Sequence, residues 1–388
     1  MFMRTLVLKA TRACNLRCAY CYYINKDTED YGSRLSEDLV ARLYSTYAAH
    51  VDGKVDRVSL IWHGGEPLAL GRKRFQTFLD MQADYFRHTE VANRLQTNGT
   101  LIDDAWAEFF LRNSVSVGVS IDGPREQNDQ IRVFGNGRGS FDRVMRGVEV
   151  LRRHEVPFGV LTVADPAVGG ADLIRFLQEN AFYFSDVLIP MTNHALQAGD
   201  AAVDVRAVGT TLLSAFRAWA ANDDPRFQIR LFHALLLNAV GGRHNCANAG
   251  LAREALGAYA IVETDGDICF DTEFSEIDRH GVGSEYRTGF NLMDPGFSFT
   301  EAADHIEARM LDAEMHQIPR DCDGCHVKTI CRGSHPGSRY SGPGDFAHRS
   351  AYCEALMPLC EEVAGYLRDN GYGEVMLDSR RLEPALNA

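Results

Sequence analysis

The sequence predicts an α/β protein: a partial (β/α)6 barrel of the TIM type followed by a smaller, cysteine-bearing domain. Three observations predict it. Short β-branched runs alternate with amphipathic helical stretches from residue 1 to about 190, the pattern of successive βα units around a parallel sheet. Polar, glycine-bearing turns follow several of these runs, which places them at the carboxyl ends of strands, where barrel sites collect. After Gly241 the texture changes to Cys-, Gly- and Asp-rich segments, which marks a second domain.

The elements follow in order. Runs over 5–9, 58–62, 92–97, 115–121, 158–163 and 187–190 are expected as the six strands. Six repeats rather than eight leave the barrel partly open. Ser36, with Asp38 in the first turn, is expected to cap one helix, and Ser140 to open another that runs through Val148 toward His154. Residues 203–239 are expected to be helical, with Leu212, Leu213, Phe216 and Trp219 packing at core-like spacing. The expected domains are 1–230, the barrel with a helical connection around 200–240, and 231–388.

With 388 residues and 45% apolar content the chain can bury a large core. A formal charge of -13 argues against a general nucleic-acid surface, which needs a basic face. Lys9 and Arg12 end the first apolar stretch short of a secretory segment, and no run of about 18 apolar residues occurs, so a membrane span is not expected. The expected location is cytoplasmic. Ten cysteines in a reducing compartment are read as metal ligands before disulfides.

Cys14, Cys18 and Cys21 carry the most information, because they sit in one short run directly after the first strand. Three thiolates at this spacing suit three corners of a cubic four-iron cluster and leave one iron for a small molecule. Structural zinc is the alternative, but no further His or Cys follows at finger spacing. A second set, Cys322, Cys325, Cys331 and Cys353, supplies four thiolates for a closed site, where zinc is again the alternative. Cys360, seven positions after Cys353 on an expected helix, shares its face and is taken as a core cysteine.

Between these sets lie turns at the expected strand ends. In Trp62-His63-Gly64-Gly65-Glu66-Pro67 the glycines permit close backbone approach, and Glu66 offers a carboxylate to a cationic group; a tight turn is the bland alternative. Asn98 and Asp122 stand in similar turns, Gln96 to Thr100 and Ser120 to Pro124, where both residue types also favour plain turn chemistry. His63 and His326 are left as ordinary hydrogen-bonding histidines.

Taken together, the Cys14–Cys21 run, the Gly-Gly-Glu-Pro turn and the later turns in this order resemble the radical S-adenosylmethionine (radical SAM) enzymes. The second cysteine set resembles the SPASM domain, which carries auxiliary iron–sulfur clusters. The resemblance implies a [4Fe-4S] cluster on Cys14, Cys18 and Cys21 with S-adenosylmethionine on the open iron. It implies cofactor contacts from Gly64, Gly65, Glu66, Asn98, Ser120 and Asp122, with Tyr20 near the adenine and Arg132 or Arg143 pairing the carboxylate. It also implies an auxiliary [4Fe-4S] cluster on Cys322, Cys325, Cys331 and Cys353. Members with two auxiliary clusters carry a fourth cysteine where this chain has His335, and Cys246 and Cys269 match an earlier pair only loosely; these three are an uncertain second auxiliary site.

Within that group, Glu263 to Ile268, Thr288 to Asn291 and Gly333 to Tyr340 look most like cyclophane-forming peptide maturases. The implied chemistry is hydrogen removal from an unactivated carbon of a ribosomally made precursor peptide, then a bond to an aromatic ring. Asp271 or Glu273 is the expected base, with solvated strand-end carboxylates as the alternative. Expected partners are the peptide and an external flavodoxin- or ferredoxin-type electron donor. Leader binding falls to an exposed sheet edge or a separate protein, since no winged-helix module precedes Cys14. The rival enzyme reading is formylglycine formation of the anaerobic sulfatase-maturase kind; epimerisation and thioether formation stay open. A non-catalytic iron–sulfur or zinc scaffold is the rival outside enzymes.

Overall fold

A computed structural model describes residues 2–23, 30–199, 202–244, 246–250 and 259–372; parts of the expected second domain, 251–258 and 373–388, lie outside the described residues. Six strands form the parallel centre: β1 (Thr5–Thr11), β3 (Arg57–Gly64), β4 (Glu90–Thr97), β5 (Ser116–Ser120), β7 (Phe158–Val163) and β8 (Phe184–Leu188). They pair in that order, each parallel to the next, with helices between them. This is the curled α/β sheet that the alternating runs predict.

The sheet extends beyond those six. β9 (Gln228–Ile229) adds to β8, and β10 (Tyr259–Val262) extends the β1 side in parallel, followed by β11 (Asp267–Cys269) and β12 (Arg287–Asn291), each antiparallel to its neighbour. The order is β12-β11-β10-β1-β3-β4-β5-β7-β8-β9. A separate ribbon pairs β2 (Leu16–Cys18) with β6 (Arg132–Phe134). The sequence shows none of these extra pieces, because each is five residues or fewer and alternation cannot be read over so short a span.

Strand alternation gives the barrel a dry face and a lumen face. Leu8 and Trp62 are register partners on the dry side, and Trp62 packs against Phe75 and Phe78 of the helix Arg72–Tyr85. The next pair, Lys9 and His63, turns the other way. Along that lumen face Val7, Ile61, Gln96, Ser120 and Leu161 stay half-buried, whereas the dry-side Leu6, Leu60, Leu95 and Val119 are buried.

Local expectations meet mixed outcomes. The Ser36 hydroxyl accepts from Leu39 N at 3.1 Å and caps the helix Glu37–Val51 as expected. Ser140 precedes the helix Phe141–Arg153 without capping it; its hydroxyl accepts from Asn128 Nδ2 at 3.2 Å instead. The helical stretch is two helices, Val205–Asn222 and Arg230–Ala239, broken where Asp223 adopts a left-handed φ of 46°. The sixth strand lies three residues earlier than expected, because the polar Ser185 and Asp186 belong to it and are buried. Among the described residues no helix is long and apolar enough to cross a membrane.

Candidate active site

The cysteine loop is clamped from below by backbone. Leaving β1, the chain passes over the end of β3 so closely that Gly65 N donates to Thr11 O at 2.6 Å and Glu66 N donates to Ala13 O at 2.8 Å. A methyl group at Gly65 would overlap Ala13 O, and Gly64 holds a φ of 122° with its missing Cβ 2.6 Å from Thr11 O. Both glycines therefore seat the loop that begins at Cys14. On the other side the β2–β6 ribbon sets Cys18 opposite Arg132, and Cys21 N donates to Cys18 O at 3.1 Å.

The three thiols stand half-buried and unpaired by disulfides. Burial, then Glu66 and the neighbouring Cys18 and Cys21, push the Cys14 thiol up to about 12. Burial likewise raises Cys18, although Arg132 opposes it. Crowded thiols whose charges repel suit a cationic inorganic centre, since a thiolate is the ligand and the metal offsets its charge. A cluster, in which each thiolate holds its own iron, fits this donor set better than zinc.

Glu66 departs from the expectation. Its carboxylate is fully buried and accepts from Leu68 N at 3.0 Å, Thr97 Oγ1 at 2.7 Å and Asn98 N at 2.8 Å. Burial raises its pKa against those three bonds. Glu66 is a brace between the ends of β3 and β4. Asn98 is likewise drawn into the loop: its Nδ2 donates to Asn15 Oδ1 at 2.9 Å and lies 3.7 Å from Cys14 Sγ, and its Oδ1 accepts from Thr100 N at 3.0 Å.

Tyr20, Asp122 and Arg132 do come together. The Tyr20 hydroxyl bonds to Asp122 Oδ2 and accepts from Arg132 Nη1 at 2.6 Å, while Arg132 Nη1 lies 3.3 Å from Asp122 Oδ2. Asp122 Oδ1 accepts from Val163 N at 3.0 Å. Arg132 is buried, and among the described residues its Nε has no hydrogen-bond partner. A buried orphan donor on a cation beside Cys18 fits an anionic group on the cofactor. Arg143, the other expected arginine, is exposed on its helix, so the structure favours Arg132. Ser120 lines the lumen and accepts from Gln96 Nε2 at 2.8 Å.

The second thiol group assembles around two helices. Burial, then Cys331, Cys353 and Cys325, raises the Cys322 thiol, and burial, then Cys331, raises that of Cys353, so the four lie near one another. Cys360 joins them from the helix Cys353–Asp369: it is fully buried, and its hydrogen bond draws the Cys331 thiol down while its own is held up. The expected core cysteine is thus a neighbour of the ligand set. Arg339, also buried, donates to four backbone carbonyl oxygens, of Gln317, Arg332, Gly333 and Ser334, and keeps a cation beside Cys322 and Cys331.

The uncertain second auxiliary site does not gather. His335 is buried with Nε2 3.0 Å from Asp271 Oδ2 and Nδ1 2.8 Å from Glu273 Oε2. Burial alone lowers an imidazole, but the two carboxylates override it and raise His335 to about 10. Asp271, which also takes bonds from Tyr259 and from Glu273 N, is held below its ordinary value by that partner despite its burial. Cys246 bonds to Arg230, and Cys269 faces Glu263 and Lys9. His335, Asp271 and Glu273 are therefore engaged with one another, a charged strut rather than a ligand set or a free base. His326 is an exposed partner of Glu361 at 2.8 Å.

Comparison with known proteins decides the family. Residues 8–179 match the radical SAM superfamily. An uncharacterised protein of Synechocystis is 32% identical over 390 residues, covering 94% of this chain and 92% of that protein. The chain belongs to the radical SAM superfamily. A serine-type anaerobic sulfatase-maturating enzyme of Bacteroides thetaiotaomicron is 28% identical over 379 residues, 91% of this enzyme and 87% of that one. The solved structure of native anSMEcpe with bound AdoMet and Cp18Cys peptide superposes with a TM-score of 0.78 at 22% identity, over 99% of this chain and 98% of that one. In this radical SAM enzyme Cys14, Cys18 and Cys21 are the residues that would hold the iron–sulfur centre of the superfamily.

Sequence reasoning passed over one group. Glu263, fully buried at the end of β10, accepts from Tyr23 at 2.9 Å, Arg12 at 3.1 Å and Tyr286 at 2.6 Å. It ties the enzyme's cysteine loop to the β10–β12 extension. No spacing links residues 12, 23, 263 and 286, so only the fold reveals the contact.

Proposed function

We propose that this radical SAM enzyme oxidises a residue within a peptide or protein chain, and that formylglycine formation on serine or cysteine is the leading chemistry. The observation that carries this reading is correspondence over nine-tenths of the chain to a sulfatase-maturating enzyme, together with a like fold that holds a peptide. The crosslinking reading, first in the sequence, takes second place. It is favoured by one departure, the His335–Asp271–Glu273 strut where a second auxiliary ligand set was sought.

When bound, the cluster and S-adenosylmethionine supply a 5'-deoxyadenosyl radical that removes one hydrogen atom from the substrate carbon. Cys14, Cys18 and Cys21 would hold that centre, and Arg132 with Tyr20 would orient the cofactor. Glu66, Asn98 and the glycine pair fix the loop so that the reacting carbon and the radical meet in one geometry. The half-buried lumen face of β1 to β7 holds the peptide. Cys322, Cys325, Cys331 and Cys353 would hold the centre that accepts the second electron.

The test offers the anaerobically reconstituted enzyme two substrates, a cysteine- or serine-containing peptide of the sulfatase kind and a short aromatic-bearing peptide encoded beside the gene. Product trapped by a hydrazide identifies an aldehyde, hence formylglycine. A peptide short of two hydrogens that resists trapping and yields a linked pair of residues on fragmentation identifies a crosslink. Turnover of S-adenosylmethionine with neither product overturns both readings.

A further inference from the structure

The lumen holds one histidine that the mechanism above does not use. His63 sits next to Gly64–Gly65, which seat the cysteine loop, and beside Lys9 in the β1–β3 register. Its half-buried ring shares the lumen face with Gln96, while Trp62 before it points into the dry layer. Gly64 N donates to His63 Nδ1 at 2.7 Å. An imidazole nitrogen that accepts a hydrogen bond carries the lone pair, so the ring proton is on Nε2. Among the described residues no hydrogen bond reaches that Nε2.

Two features hold this tautomer. Lys9 is fully buried with Nζ 3.1 Å from the Tyr22 hydroxyl and over the Tyr22 and Tyr23 rings at 5.0 and 4.6 Å, so a fixed cation stands beside the imidazole. Burial and that cation push His63 down to about 3, which keeps it neutral at pH 7. A neutral ring with its lone pair already engaged cannot serve as a base, but it can donate. The floor beyond it suits a chain: Gly118 and Gly159 are register partners on β5 and β7, and a methyl at Gly118 would overlap Gln96.

We propose that His63 is a positioning residue for the peptide, its Nε2–H donating to a neutral carbonyl of the substrate chain next to the carbon that loses hydrogen. This rests on the peptide reading above. A neutral donor matches a peptide carbonyl, and its place beside the cysteine-loop seat puts the anchored residue at the reacting centre.

The experiment compares holoenzyme of the wild type, His63→Phe and His63→Gln for peptide KM, S-adenosylmethionine KM, and modified peptide formed per 5'-deoxyadenosine, with iron content as a check on folding. His63→Phe is expected to raise the peptide KM about tenfold and to lower product per 5'-deoxyadenosine, as loss of one buried donor implies. His63→Gln, which keeps an N–H, recovers most of both. A His63→Phe enzyme with wild-type peptide KM and coupling overturns the assignment, as does a raised S-adenosylmethionine KM with the peptide KM unmoved. A 15N spectrum of the wild-type holoenzyme needs no peptide: a charged ring, or a proton on Nδ1, overturns the assignment by itself. A wild type that modifies no peptide overturns the functional reading and this role together, whereas wild-type turnover beside an indifferent His63→Phe overturns this role alone.

Discussion

The two thiol groups of this enzyme are built to opposite plans. Cys14, Cys18 and Cys21 lie on one loop, three donors for a four-iron centre, beside a buried arginine with a free Nε. Cys322, Cys325, Cys331 and Cys353 are drawn from segments up to 31 positions apart, four thiols with Cys360 and Arg339 packed against them. In the proposed reading the first would leave a coordination position for a reactant, and the second would close its shell as an electron-transfer centre does. A third polar site, His335 with Asp271 and Glu273, joins this part of the fold by a buried imidazole between two carboxylates.

The comparison breaks most sharply at the ligands. Cys14→Ala is expected to abolish 5'-deoxyadenosine formation and to lower iron from about eight to about four per chain, as each cubic cluster holds four. Cys353→Ala should also lose iron but still form 5'-deoxyadenosine, with less modified peptide per molecule. Equal loss of 5'-deoxyadenosine in both variants would erase the distinction between the open and the closed site.

Next in size is the strut. His335→Ala leaves the buried Asp271 and the half-buried Glu273 without their partner and is expected to cost about 3–5 kcal/mol in denaturant unfolding. The pH dependence has a definite sign. His335 is raised from 6.5 to about 10, so its contribution is full below pH 6.5 and is lost as pH rises through about 10. Asp271 is lowered from 3.8, so its contribution is full above 3.8 and is lost as pH falls through the depressed value. Wild-type Tm should therefore decline on the alkaline side between these limits, and His335→Met should flatten that decline. An unchanged alkaline slope in the variant would deny the strut its role.

Glu66→Ala comes third: it orphans Leu68 N, Thr97 Oγ1 and Asn98 N, and should cost about 3 kcal/mol in unfolding. If the main effect were instead on S-adenosylmethionine affinity with stability intact, Glu66 would be a ligand-binding residue after all. Arg132→Lys is expected to raise the KM for S-adenosylmethionine about tenfold, because an ammonium cannot reproduce the guanidinium fork. Smallest is Cys360→Ala, expected to keep wild-type iron content and to lose about 1 kcal/mol of stability with its bond to Cys331. Loss of iron in that variant would make Cys360 a ligand and leave one of the other four outside the shell.

The barrel centre was legible because its strands are apolar runs that end in Gly, Asn or Asp, and 158–163 carries the same bounds in the fold. Strand β8 was misplaced by three residues because Asp186 disguises it; that carboxylate is buried against Arg230 at 3.1 Å, a partner 44 positions away. Among site residues, Asp122 stood out by its turn, whereas Tyr20 and Arg132 came only from the resemblance, and their contact with Asp122 is seen only in the fold. The three donors to Glu66 were not legible, because a carboxylate after two glycines looks the same in sequence whether it meets a ligand or amide and hydroxyl donors.

What the sequence determined by itself is set by short covalent spacing: three thiols on one loop, a cysteine-rich second region, and six βα periods that carry the loop to the mouth of a barrel. Tertiary structure alone decided which charges meet. His335 found Asp271 across 64 residues, Glu263 found Arg12 across 251, and His63 received its tautomer from a backbone turn beside a buried lysine. The reason is physical. Ligand spacing along a loop survives in any fold, whereas the protonation and partner of a buried group depend on what the whole chain packs around it.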